Sequence, residues 1–249
     1  MNSIVCVKRV PDTETRIRIA GDNTSIDPAG VKFVLSPYDE FAIEAALKHK
    51  EAAGAGEVTV LTAGAAESAE TLRSALAMGA DRAILLKTDA AVEGLAAARL
   101  LADEVREQSF DLLLFGMKAA DDDLQAVGAM TAELLGLPAA TAVGEFSVED
   151  GTVTAHREIE GGVEIVELKL PCVLTITKGA YEPRYASLKG IMAAKKKPLE
   201  QKEVQAPDSG LQIEQLSYPP ERQAGRIVGE GPDAVPELLR LLREEAKVL

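Results

Sequence analysis

Tryptophan is absent, and cysteine and histidine occur only twice each, as Cys6, Cys172, His49 and His156. So few ligands do not make a plausible zinc site, and no Ser-His-Asp arrangement is evident. Both cysteines lie in apolar runs, Cys6 within 3–8 and Cys172 within 171–178. They read as buried free thiols, which fit a cytoplasmic address. No apolar run approaches the roughly 20 residues of a membrane helix, so an integral membrane protein is not expected. The first residues are strand-like and lack the build of a signal peptide. Cations are the minority, 27 Lys and Arg against 40 Asp and Glu, and the net charge is −13. A nucleic-acid groove is therefore not expected; the acidity bears on solubility and on basic partners. Neither GxGxxG nor GxxxxGK[ST] occurs, so neither phosphate-binding fingerprint is supported. Carboxylates are plentiful, as at Glu158 and Glu160, but nothing places two of them around a reacting bond. No catalytic residue is assigned, and the chain is not expected to be an enzyme.

What is present is a globular composition, 47% hydrophobic and 27% charged. Strand-like and helix-like segments alternate from residue 3 to 178. The runs 3–8, 57–62, 82–86 and 110–115 are short and continuously apolar. Between and after them, 38–50, 66–78, 94–107 and 122–135 have helical spacing. Ser36-Pro37 reads as an N-cap followed by proline at the first helical position. Gly79 and Gly136 stop two of the helices. Strands of this kind are buried on both faces. The fold class is therefore α/β, a mainly parallel sheet with helices on both faces.

The pattern changes at Val143. Residues 146–148, 152–157 and 163–168 are strand-like, with turns at Asp150-Gly151 and Gly161-Gly162, and predict an antiparallel hairpin. Residues 171–178 give one more buried strand. Beyond Lys178 the core pattern ends. Residues 200–230 are polar, rich in proline and glycine, and read as an extended arm. Residues 233–249 read as a helix with Val235, Leu238, Leu239, Leu242 and Ala246 on one face. The expected organisation is an α/β domain over 1–181, a loop over 182–198, and an arm with a terminal helix over 199–249; the roles of the first two come from the resemblance given below.

In an open parallel sheet, ligands bind outside the carboxyl ends of the strands. The loops 7–13, 62–65, 87–89 and 116–123 stand there. The last, Gly116-Met117-Lys118-Ala119-Ala120-Asp121-Asp122-Asp123, admits two readings. Its amides and Lys118 could take an anion at a helix start, or its aspartates could merely cap the helix. The run Lys195-Lys196-Lys197 also admits two: a solvated face, or a cationic flank to the apolar residues Leu188, Ile191 and Met192.

Four segments resemble one family, the beta subunit of electron-transfer flavoproteins. They are Cys6–Asp12, residues 71–82, residues 157–175 and residues 182–197. In the last, Glu182-Pro183-Arg184-Tyr185-Ala186-Ser187-Leu188 precedes the lysine run. The resemblance implies a heterodimer with an alpha subunit that holds most of a redox-active FAD, while the beta subunit binds a structural AMP. It places AMP contacts at Cys6, Ser36, Pro37, Tyr38, Asp39, Ala63, Gly116, Met117, Lys118, Ala119, Ala120, Asp121, Asp122, Asp123, Leu124, Gln125, Ala126 and Val127. It implies docking of flavin-dependent dehydrogenases, such as acyl-CoA dehydrogenases, through Leu188, Ile191, Met192, Lys195, Lys196 and Lys197. Electrons then pass to a quinone oxidoreductase. Two departures bear on the nucleotide. A bifurcating branch of the family binds a second FAD instead of AMP and tends to have glycine where Asp122 stands, which favours AMP here. Thr13 stands where AMP-type members often have tyrosine, which is more like the other branch. AMP is the expectation. The alternatives are a bifurcating subunit with its own FAD and, from fold alone, a homodimeric nucleotide-binding module.

Overall fold

Ile4 and Val5 leave one strand in opposite directions and enter different cores. Val5 is buried in a cluster with Ala42, Ile43, Leu72 and Leu76, whereas Ile4 is buried with Leu100, Leu101 and Ala132. This is the alternation of a strand covered on both faces. The computed structural model describes residues 1–89, 92, 94–208, 210–221 and 224–249. The strand is β1 (Ser3–Cys6). One helical layer is α1 (Pro37–Ala53) and α2 (Ser68–Met78); the other is α3 (Gly94–Arg106) and α4 (Val127–Leu135).

Around β1 lie β4 (Val58–Gly64), β5 (Arg82–Lys87), β6 (Leu112–Gly116) and β10 (Cys172–Ile176). All these pairings are parallel, with Cys6 level with Leu61 on one side and Phe115 on the other. Before β4, a short antiparallel pair, β2 (Arg9–Pro11) with β3 (Phe33–Leu35), stands outside the sheet. After α4 come β7 (Ala139–Glu149), β8 (Thr152–Ile159) and β9 (Gly162–Lys169), each antiparallel to the next, with β7 parallel to β10. The expected hairpin is thus a three-stranded meander. Its first turn has Asp150 and Gly151 both at positive φ, 47° and 73°, the requirement of a tight type I′ connection. With an edge strand β11 (Leu199–Glu203), the full order is β11-β5-β4-β1-β6-β10-β7-β8-β9.

Two elements depart from the sequence reading. The arm expected from 199 onward begins inside the sheet: β11 (Leu199–Glu203) lies parallel to β5. Its charged side chains suit an edge, where Lys202 reaches Glu104 at 2.7 Å and Glu203 reaches Lys87 at 2.8 Å. Residues 182–198, expected to be a loop, contain the helix α5 (Leu188–Ala194). Ser187 caps it, its hydroxyl accepting from the Gly190 amide.

The chain divides into Met1–Glu214, which holds all of the above, and a second unit, Gln215–Leu249. The second unit contains the helix α6 (Val235–Glu244) with Pro236 in its first turn. The expected helix ran to 249. The observed one stops at Glu244, so Ala246 lies beyond it, and Leu241 rather than the expected face is buried. Val235, Leu238 and Leu239 are exposed. The proposed arm over 200–230 also spans Ser209, Arg222 and Gln223, which lie outside the described residues.

Candidate functional site

Strand order reverses at β1, with β4 and β5 to one side and β6 and β10 to the other. Sheet physics therefore puts a crevice at the carboxyl ends of β1 and β6. A cavity of about 110 Å³ lies there, between Cys6, Val7 and Lys8, the β4 residues Thr62 and Ala63, and Phe115–Met117. Gly94, Ala97 and Leu101 of α3 close one wall, and Val127 and Gly128 of α4 another. Small side chains at 63, 94, 97, 119 and 128 make it a slot. Gly128 has no room for more, because a Cβ there would come within 2.6 Å of Thr175.

Asp39, from the first turn of α1, ties the two strand ends together. One carboxylate oxygen accepts the Lys8 amide at 2.7 Å and the other the Gly116 amide at 3.1 Å. Gly116 must be glycine, since a Cβ would sit 2.4 Å from that carboxylate. Burial pushes the Asp39 carboxyl up to about 7, against the two amides, which favour the charged form. Cys6 is buried; desolvation first, and the Asp39 charge second, hold its thiol well above the ordinary range, so it is no nucleophile. Cys6 and Cys172 are both free.

The segment 117–126 corrects the helix expected from 122. Helix α4 begins at Val127, its N-cap is Ala126, and no side chain caps it. The aspartates are engaged elsewhere. Lys8 meets both Asp121 and Asp122 at 2.8 Å, and Lys118 meets Asp123 at 2.8 Å. These pairs fasten the segment across the mouth of the crevice. Each is partly exposed, so each contributes little alone. Among the described residues, no acceptor is found for the amides of Lys118, Ala119 and Ala120. Three such N–H groups close to a cavity fit an anion, although the two nearby lysines are already paired with aspartates. The residues present therefore fit the phosphate and flat ring of a nucleotide. At about 110 Å³ the slot is smaller than the pockets that enclose drug-sized ligands.

Of the residues expected at the nucleotide, Cys6, Asp39, Ala63, Gly116, Met117, Lys118, Ala119, Asp122, Leu124 and Val127 line the cavity. Asp121 and Asp123 join through their lysines, and Tyr38 through Lys118, whose ammonium lies 5.6 Å from the ring. Ser36 is buried beside them in sequence, but its hydroxyl has no partner and caps nothing. Pro37 lines a different concavity, and Ala120, Gln125 and Ala126 do not line the slot. The α3 residues, Phe115 and Gly128 were not anticipated. No local signal marks the helix residues, because packing of α3 and α4 brings them there, and Phe115 reads only as a core residue of β6.

A larger concavity of about 840 Å³ runs between α1, α2 and residues 182–195, over Phe41, Met78, Pro183 and Ile191. It is mostly apolar, whereas polar groups converge on the smaller crevice. Beside this groove stand the expected docking residues. Leu188 is 84% exposed, Met192 64% and Ile191 44%. Lys195 and Lys196 point to solvent. Lys197 does not: its ammonium donates to the carbonyls of Leu76, Gly79 and Ala80 at 3.0, 3.3 and 2.6 Å. It is therefore removed from the docking cations.

Residues 24–207 match the family described as electron transfer flavoprotein domain. Proteins named electron transfer flavoprotein subunit beta match over whole chains. That of Bradyrhizobium diazoefficiens is 41% identical across 100% of both chains, and that of Bacillus subtilis 38% across 100% of both. That of Sus scrofa is 39% identical across 98% of both. The chain belongs to the electron transfer flavoprotein beta-subunit family. Membership of a beta-subunit family implies an alpha subunit as partner. Among the described residues, no helix is long and apolar enough to cross a membrane.

Proposed function

We propose that this electron transfer flavoprotein beta subunit binds one AMP as a structural group in the β1–β6 crevice and presents a docking surface to flavin-dependent dehydrogenases. Electrons are carried by the FAD, held mainly by the alpha subunit, and leave to a quinone oxidoreductase. The chain itself catalyses nothing: its residues bind, orient and dock. Two buried free thiols fit a reducing compartment such as the cytoplasm.

The observation that carries the AMP reading is the pairing of Lys8 with Asp122 at 2.8 Å across the mouth of the slot. Lys8 and Asp122 both line the slot, so in this reading a longer nucleotide would have to displace the pair. In this reading Ala63, Ala97 and Gly128 would hold the adenine, and the amides of residues 118–120 would hold the phosphate. Asp39 holds the two strand ends at the right separation. A dinucleotide such as FAD would have to run past the Lys8–Asp122 pair, whereas a glycine at 122 would leave that path open.

The test is Ala63→Leu in the complex with the alpha subunit. A longer side chain fills the slot without adding charge. The reading expects AMP affinity to fall at least about tenfold, about 1.4 kcal/mol, with FAD content unchanged. AMP bound at wild-type affinity would place the nucleotide elsewhere.

A further inference from the structure

Helix α5 has seven residues, far fewer than the roughly 12–15 at which isolated helices become even marginal in water. Among its residues only Ala194 is buried. Its apolar side chains, Leu188, Ile191 and Met192, are turned outward rather than into the core. What keeps it helical and in place must therefore come from outside it.

The support is a reciprocal clasp with α2. Arg73, in the middle of α2, donates from one guanidinium nitrogen to the carbonyls of Ala194 and Lys197, at 2.6 and 2.7 Å. Lys197 returns the contact, its ammonium donating to the Leu76, Gly79 and Ala80 carbonyls. Those are acceptors at the end of α2, where helical carbonyls lack partners and the dipole favours a cation. Each cation thus satisfies the open carbonyls of the other's segment. Gly190 lets the two helices touch, for a Cβ there would come 2.5 Å from the Ala77 carbonyl oxygen. On the other flank, Arg184 is held on α1 by Glu44 and Glu51, at 2.7 and 2.6 Å.

We propose that Arg73 and Lys197 are positioning residues for docking: they hold α5 against α2 so that Leu188 and Met192 project at a fixed height and direction toward the dehydrogenase. The inference rests on the proposed docking of dehydrogenases, read here at the exposed residues of α5. It gives the lysine run two roles. Lys195 and Lys196 face the partner, and Lys197 fastens the platform. A fixed platform matters because an anchor side chain ordered before binding loses less freedom on association.

The experiment uses the whole heterodimer and a purified acyl-CoA dehydrogenase as electron donor. Arg73→Gln and Lys197→Gln are expected to raise the KM for the dehydrogenase about tenfold and leave kcat, FAD content and AMP content unchanged. Arg73→Lys, which keeps a donor, should recover most of the loss. Lys197→Gln should leave the salt dependence of KM as in wild type, unlike neutralisation of Lys195 and Lys196. Leu188→Ala separates the two ideas. If it raises KM while Arg73→Gln and Lys197→Gln behave as wild type, the positioning role is overturned and docking stands. If Leu188→Ala itself has the wild-type KM, the docking assignment falls and this role with it. A further arm needs no variant: amide hydrogen exchange in the wild-type complex should protect residues 191–194. Exchange there at the rate of an unstructured chain would overturn the clasp.

Discussion

Asp39 is one carboxylate holding two strand ends, and its environment makes its charge a liability to the fold. Its carboxyl lies near 7 in the folded chain and near 3.8, the ordinary value, when unfolded. The sign follows from proton binding. Between those two values the folded state holds the proton more tightly, so stability falls as pH rises from about 4 to 7. The slope is at most about 1.4 kcal/mol per pH unit, and this group adds none outside the window. Asp39→Asn cannot ionise and gives up one amide bond. The difference in unfolding free energy between wild type and Asp39→Asn should therefore shift steadily in the variant's favour from pH 4 to 7. Urea denaturation of both proteins at several pH values measures it, and a pH-independent difference would refute the assignment. The sequence shows Asp39 as an acid in a first helical turn, an ordinary place for one. That it is buried, with an oxygen on each of two parallel strands, is a tertiary fact. Lys197 teaches the same lesson. It is chemically identical to Lys195 and Lys196, and only its reach to the end of α2 separates them.

At the scale of elements, the core strands were legible because burial on both faces makes them continuously apolar, as in the fully buried β10. The edge strand β11 was not, since Leu-Glu-Gln-Lys-Glu carries a single apolar residue and is selected by its edge position rather than by a core. Segment 117–126 was misread because aspartates before an apolar run look like helix caps. Here the lysines at 8 and 118 claim them instead. Helix α5 was invisible because it is short and its apolar residues face outward. Its exposed lysines supply the element-scale prediction. Lys195 and Lys196 act through long-range attraction, which salt screens over about 8–10 Å near physiological strength. Neutralising both should slow association with the dehydrogenase several-fold at low salt and flatten the dependence of that rate on salt. Stopped-flow association at several ionic strengths decides this; an unchanged slope would mean that these lysines do not steer docking.

At the scale of the whole molecule, the sequence indicated an α/β sheet and a crevice at its strand ends, but not what covers α6. The resemblance supplied the alpha subunit. Helix α6 has Val235, Leu238 and Leu239 exposed, apolar residues that a lone chain has little reason to leave in water. We expect them to pack on the alpha subunit. Deleting residues 233–249 should weaken heterodimer formation at least about tenfold, as read from the dissociation constant, and leave the Met1–Glu214 unit folded. An unchanged constant would assign the helix to another task. The account as a whole turns on what the heterodimer contains. The chain should be purified with its alpha partner and denatured, and the released FAD and AMP counted against protein. The account predicts one FAD and one AMP per heterodimer. Two FAD with no AMP would contradict it, because the beta-subunit crevice would then hold a flavin past Asp122.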